Sequence, residues 1–230
     1  KAHLSMKSLL GKKLSSILKI LLEQTQLGCE SNWPLGKGER ELTSLAWSWL
    51  IASGDKSVRK NALDSVSGAS MSLSRAALNS LQPIECFERE SGMRIFFERW
   101  KNRPVILDAW FDLKASTPNS NGLYMINKLL DHPMFDPLAP NAVRAVLGGL
   151  ARNPIVFHAL DGSGYDFMAD QLIKLDKRNS ITASRLVKVF SRWKSYSTLY
   201  KKGMIKALDR LMGADLSSNT REVVELIQGN

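Results

Sequence analysis

Four basic side chains carry the chemistry that is easiest to name in this 230-residue sequence. Arg185, Lys188 and Arg192 fall at i, i+3 and i+7, which on a helix starting near Ala183 makes one cationic stripe beside the apolar face of Leu186, Phe190 and Trp193. Arg144 sits at the margin of a second apolar face formed by Val143, Val146, Leu147 and Leu150. A guanidinium held at such an edge suits a carboxylate or phosphate, which it can grip with two parallel N–H donors. The same spacing also fits a plain solvated basic face.

Other chemistries lack their parts. The histidines are His3, His132 and His158, with no two adjacent and no His-Glu-x-x-His, so no zinc-hydrolase ligand set is present. Neither a Walker loop nor a Rossmann fingerprint occurs. Gly162-Ser163-Gly164 has no preceding strand and no evident base, so it reads as a capped helix start after Asp161 rather than a nucleophile. His158 reads as a hydrogen-bonded structural residue beside that turn. The acidic pairs Glu88/Glu90 and Asp108/Asp112 read as solvated helix faces. Cys29 and Cys86 are too few for a disulfide framework, which suggests free thiols in a reducing compartment.

The net charge is +10, compatible with nucleic acid, acidic surfaces or acidic peptides. Its distribution is uneven. Residues 39–100 hold 8 basic and 8 acidic side chains, whereas residues 174–210 hold 11 basic ones against only Asp176 and Asp209. No run approaches the roughly 18 apolar residues that cross a bilayer. Lys12, Lys13 and Lys19 interrupt any signal-peptide core, and a cytoplasmic location is the expectation. A first residue of Lys hints at a fragment or a processed chain.

These groups must be positioned by helices. Apolar residues recur at helical spacing over about 4–25, 39–52, 57–66, 71–81, 84–100, 104–116 and 122–131. Expected inward faces include Leu42, Leu45, Ala46 and Trp49 on the second of these, and Cys86, Ile95 and Phe96 on the fifth. The crowded prolines Pro133, Pro137 and Pro140 open the stretch that organises the chain. Its three short helices are separated by Asn153-Pro154, by Asp161-Gly162-Ser163-Gly164 and by Asn179-Ser180. Met168, Leu172 and Leu175 form one of their faces. Segments 196–212 and 217–228 complete the series. A loop is expected at 28–38 and a break at 67–70. Strand signals are nearly absent. About a dozen short helices on short loops predict an all-α fold, a right-handed superhelix of stacked antiparallel pairs of HEAT or armadillo type. It is expected as one domain over 1–230, with 1–38 as a leading helix and loop. No exact sequence repeat is visible.

Several motifs in series then resemble one family. Trp110-Phe111 with Ser116-Thr117-Pro118, His132-Pro133-Met134-Phe135-Asp136, Asn141-x-x-Arg144, Asn153-Pro154-x-x-Phe157-His158, Asp161-Gly162-Ser163-Gly164-Tyr165, Arg178-Asn179 and Ala183-Ser184-Arg185-Leu186 are similar to the C-terminal domain of the bacterial-type aminopeptidase N (alanyl aminopeptidase) family. The likeness covers roughly residues 40–228. It implies a non-catalytic piece of a zinc exopeptidase, whose His-Glu-x-x-His and Gly-x-Met-Glu-Asn motifs are both missing here. Zinc would belong to the catalytic domain and no cofactor to this chain. The resemblance further implies that the helical stack caps the active-site cavity and leaves a peptide channel. By motif position Arg144 and Arg185 would meet the substrate beyond the scissile bond. Ile181 departs from a position that is usually polar in such domains. The expected partners are the catalytic domain of the same enzyme and its peptide substrates, with no membrane. The alternative is a free-standing α-solenoid that binds nucleic acid, the less favoured partner, or another protein through 174–210.

Overall fold

The structure, a computed structural model, describes residues 2–29, 35–68, 70–118 and 121–229, with the backbone alone at residues 2 and 26–29. The Cys29 thiol, the centre of the 28–38 loop and part of the 67–70 break therefore lie outside the described residues. Fourteen α-helices and no strand occur among those described. They are α1 Ala2–Lys13, α2 Ser15–Cys29, α3 Lys37–Ala52, α4 Lys56–Val66, α5 Met71–Leu81, α6 Phe87–Trp100, α7 Pro104–Ser116, α8 Gly122–Leu130, α9 Pro140–Ala151, α10 Pro154–Phe157, α11 Ser163–Asp176, α12 Ser180–Val187, α13 Thr198–Met212 and α14 Ser218–Gly229. The all-α expectation holds. The chain divides into two compact units, Lys1–Leu107 and Asp108–Asn230.

In the first unit α3 is the central element. Ala46, Trp47, Leu50 and Ile51 are almost inaccessible and pack among α2, α4 and α5. This corrects the expected α3 face, because Leu42 and Leu45 are exposed. The buried stripe runs through Arg40, Thr43, Ala46, Trp47 and Leu50, and two of those are polar, so apolarity alone pointed about one residue off. The expected single helix over 4–25 is two helices broken at Leu14. The break follows Gly11, where α1 lies so close to α3 that a Cβ would sit 2.2 Å from the Trp49 carbonyl oxygen. On α6 the buried apolar side chains are Met93 and Phe96, with Ile95, and Cys86 just before the helix, only half-buried. Short polar residues start the helices as their chemistry dictates. Asp55 accepts the Val58 N–H at 3.1 Å and Ser70 the Leu73 N–H at 3.3 Å.

The second unit is built by repetition. Asp166 and Asp170 of α11 pair with Lys206 and Arg210 of α13, so a step of four on one helix matches a step of four on the other. The two helices therefore run parallel, with α12 folded against α11 between them. The same sequence offset recurs elsewhere. Asp112 of α7 meets Arg152 just past α9, 40 residues on. Asn153 donates to the carbonyls of Ala115 and Thr117, 38 and 36 residues back. Thr220 of α14 donates to the Ser180 carbonyl of α12, 40 residues back. HEAT and armadillo repeats have a period of about 40–47 residues. A repeat invisible in residue identity is thus visible in contact spacing. Burial follows the predicted faces on α9 and α11, where Val143, Val146, Leu147 and Leu150, then Met168, Leu172 and Leu175, are all in the core. Each such side chain contributes about 1.5–3 kcal/mol relative to exposure.

Candidate functional site

Arg144 and Arg185 stand in the second turns of α9 and α12, which are in contact. Pro140 opens α9, where its missing N–H costs nothing. Asn179 opens α12 by accepting the Thr182 N–H at 2.9 Å. These starts turn the inner face of each helix, Val143 and Val146 on one and Ala183 and Leu186 on the other, into the core. The arginines are thereby left outside, both exposed. They lie 41 residues apart, one repeat offset, and so occupy equivalent places in successive repeats.

Their surroundings differ. The Arg144 guanidinium donates to Asn141 Oδ1 and faces Asp108 of α7. Burial raises the Asp108 carboxyl above its ordinary value, and the Arg144 charge pulls it back only in part. Arg185 has no hydrogen-bond or ion-pair partner among the described residues. One turn before it Ile181 is 59% exposed, so a free cation and a bare aliphatic side chain share one patch of α12.

The expected stripe of Arg185, Lys188 and Arg192 does not form. α12 ends at Val187, tightens into a 3-10 turn at Lys188–Phe190 and breaks before a second at Trp193–Ser195. Phe190 is fully buried, and Trp193 donates its indole N–H to the Ile227 carbonyl of α14 at 2.9 Å. These two anchors override the helical period and carry Arg192 off the Arg185 face. Nor is the 174–210 excess a uniform basic surface, since Lys206 and Arg210 are paired with carboxylates. Asp108 and Asp112 correct the solvated-face reading too, because both are half-buried toward basic residues of the next repeat. Of the other acidic pair, Glu90 does lie exposed, beside Arg89 at 2.9 Å, whereas Glu88 is half-buried.

The other candidates are structural. His158 Nδ1 and the Tyr165 hydroxyl are 2.6 Å apart, inside a cluster with Tyr196 and Tyr200. Burial lowers the His158 pKa, which favours the neutral ring beside the Tyr165 hydroxyl. His132 lies against Trp110 and Phe111 and accepts the Met134 N–H. Ser163 donates its hydroxyl to Asp161 Oδ1 at 2.7 Å and has no base. Gly162 takes a left-handed φ of 78°, and a Cβ on Gly164 would fall 2.3 Å from the Val156 carbonyl oxygen, so both glycines are needed by the turn. Among the described residues no group of three or more His, Cys, Asp or Glu could hold a metal ion. No helix among them is long and apolar enough to cross a membrane.

Sequence reasoning missed the polar clamps. Asp176 is buried and accepts from Ser217 N and Ser217 Oγ, each at 2.6 Å, and from Thr220 Oγ1 at 2.5 Å. Burial pushes its carboxyl up, but these hydrogen bonds outweigh it and hold the pKa below the ordinary value. An acidic residue with basic, Ser or Thr partners about 40 residues on would have been the signal.

The family described as a domain of unknown function (DUF3458_C) with ARM repeats matches residues 1–229. The chain is similar to aminopeptidase N of Caulobacter vibrioides, 35% identical over 143 residues that make up 61% of this chain and 17% of that protein. It is similar to aminopeptidase N of Escherichia coli, 36% identical over 141 residues, 61% of this chain and 16% of that one. Its fold is similar to part of a crystal structure of Legionella pneumophila aminopeptidase A in complex with aspartic acid. The TM-score there is 0.85 at 27% identity, over 97% of this chain and 28% of the other. The chain therefore spans about a sixth of the length of these curated relatives.

Proposed function

Given that this chain belongs to the DUF3458_C ARM-repeat family and is a C-terminal domain of the aminopeptidase N family, we propose that it is the non-catalytic wall of a zinc-dependent aminopeptidase. In this reading residues 1–230 act as one domain that caps the active-site cavity, leaves a channel for peptides and lends cations to the substrate beyond the scissile bond. A single family matching residues 1–229 supports the one-domain reading. Zinc and the groups that hold it belong to the catalytic domain, where the metal would polarise the scissile carbonyl.

One observation carries the proposal. An exposed arginine without a hydrogen-bond or ion-pair partner among the described residues, Arg185, sits one repeat from the equivalent Arg144 on a touching helix. Peptides end in a carboxylate, and Arg185 is free to take it with two N–H donors. Arg144 is already steered by Asn141 and Asp108, so its role is to set the field and hold a backbone carbonyl rather than to bind a full charge. Ile181 offers the side chain beside that carboxylate an apolar surface.

The test is Arg185→Ala in the whole enzyme, assayed on tripeptides and on amino-acid amides. A charge-assisted bond of about 1.5–3 kcal/mol predicts a rise in KM for tripeptides of about tenfold or more, with the amides nearly unaffected. Equal effects on both substrate classes would refute the carboxylate role. The 230-residue chain by itself should hydrolyse neither. A labelled DNA duplex that bound it tightly at low salt and let go steeply as salt rose would instead favour the nucleic-acid solenoid.

A further inference from the structure

A cleft of about 340 Å³ opens in the first unit among α2, α3, α4 and α5, on helices other than those of Arg144 and Arg185. Its floor is the indole of Trp47, which is 1% exposed and donates its N–H to Asn61 Oδ1 at 3.0 Å. Leu22, Val58 and Leu73 form apolar walls. At the rim α2 places Lys19 and Glu23 one turn apart. The two differ in what they have left to offer. Lys19 is neutralised by Asp55 at 2.8 Å, and Asp55 is fixed in turn by Ser57 and the Val58 amide. Glu23 has no hydrogen-bond or ion-pair partner among the described residues. The Asn61 side-chain NH₂ likewise keeps its donors, since only Oδ1 is engaged. The rim thus holds one surplus carboxylate and one free amide donor above an apolar floor, in a protein whose net charge is +10.

We propose that this cleft binds the amino end of an aminoacyl amide or peptide whose first side chain is apolar. The ammonium pairs with Glu23, the side chain lies between Leu22 and Leu73, and the following carbonyl accepts from Asn61 Nδ2. The volume is at the lower end of the range for ligand pockets, about 300–1,000 Å³, enough for one residue and its amide but not for a folded partner. A free amino acid fits less well, because its carboxylate would compete with Asp55 for Lys19 and be repelled by the Asp55 charge. This site does not depend on the role given to Arg185, and it is tested by binding alone.

The 230-residue chain would be titrated with L-leucinamide, N-acetyl-L-leucinamide, isoamylamine and L-leucine, following amide shifts by NMR. L-leucinamide should bind best. Acetylation, which removes the ammonium, should weaken binding about fivefold or more, and isoamylamine, which lacks the carbonyl, about threefold. Glu23→Gln, an exposed change that spares the fold, should erase the preference for L-leucinamide over its acetyl form. Ser65→Phe should fill the cleft and abolish both. Binding that is absent, that is unchanged in Glu23→Gln, or that is equal for the acetylated probe overturns the site. A preference for isoamylamine would assign the cleft to simple amines and overturn the peptide-end reading.

Discussion

The two units solve the same packing problem with different polar chemistry. In the first, the links between helices are mostly neutral. Thr25 and Thr43 share a hydrogen bond of 2.7 Å, Trp47 reaches Asn61, and Ser80 reaches the Ser44 carbonyl. In the second, charged groups bridge successive repeats: Asp112 to Arg152, Asp166 to Lys206, Asp170 to Arg210, and Asp176 to Ser217 and Thr220. The first unit does use charge in places: Lys19–Asp55 fixes the cap of α4, and Arg99 of α6 donates to the Gly68 carbonyl just past α4. The difference teaches that apolar periodicity forms the helices of both units, while the spacing of the later repeats is set by buried and half-buried polar side chains.

The comparison breaks most easily at Asn153, which is fully buried at the end of α9 and satisfies two carbonyls at the end of α7. Asn153→Asp would set a carboxylate against both oxygens, and denaturant unfolding should show a loss of about 3 kcal/mol or more. Asp176→Ala comes next, at about 2–3 kcal/mol, because it strands the Ser217 N–H and leaves the Thr220 hydroxyl only the Ser180 carbonyl, at 3.3 Å, to donate to. Its pH dependence sharpens the point. The folded pKa of Asp176 lies below the unfolded one, so its contribution is complete above about pH 4 and is lost as pH falls through the folded value. Acid unfolding should therefore be steeper in the native chain than in Asp176→Ala. In the first unit Asp55 behaves alike. Burial would raise its carboxyl, but Lys19, Ser57 and the Val58 amide bring it down to about 2, so Lys19→Met should move the loss of stability to higher pH. Thr43→Val should cost only about 1 kcal/mol, since Thr25 keeps its bond to the Leu21 carbonyl. The smallest effect belongs to Lys206→Met with Arg210→Met. These exposed pairs should yield under about 1 kcal/mol each, and less in high salt. A large loss there would mean that surface charge holds the repeats together.

Much of the helix order could be read from punctuation. Pro104, Pro140 and Pro154 open helices, and Asp55, Ser70 and Asn179 cap them, each because its backbone or side chain suits that end. The α3 face was not legible, since Thr43 and Arg40 are buried where leucines were available. The end of α12 was not legible either. No Gly or Pro marks Val187, and the stop is imposed by the distant anchors of Phe190 and Trp193. Arg144 and Arg185 were found as exposed cations, but the stripe built around Arg185 assumed a helix that tertiary contacts cut short. The cleft over Trp47 carried no local signal, because its lining comes from four helices.

The α14 contacts have a consequence for anyone trimming the chain. Thr220 closes the Asp176 clamp and the Ile227 carbonyl receives the Trp193 indole, so α14 works like a bolt through the repeat before it. Remove it, and a buried carboxylate loses one of its donors, a tryptophan loses its acceptor, and the preceding repeat is the first to loosen.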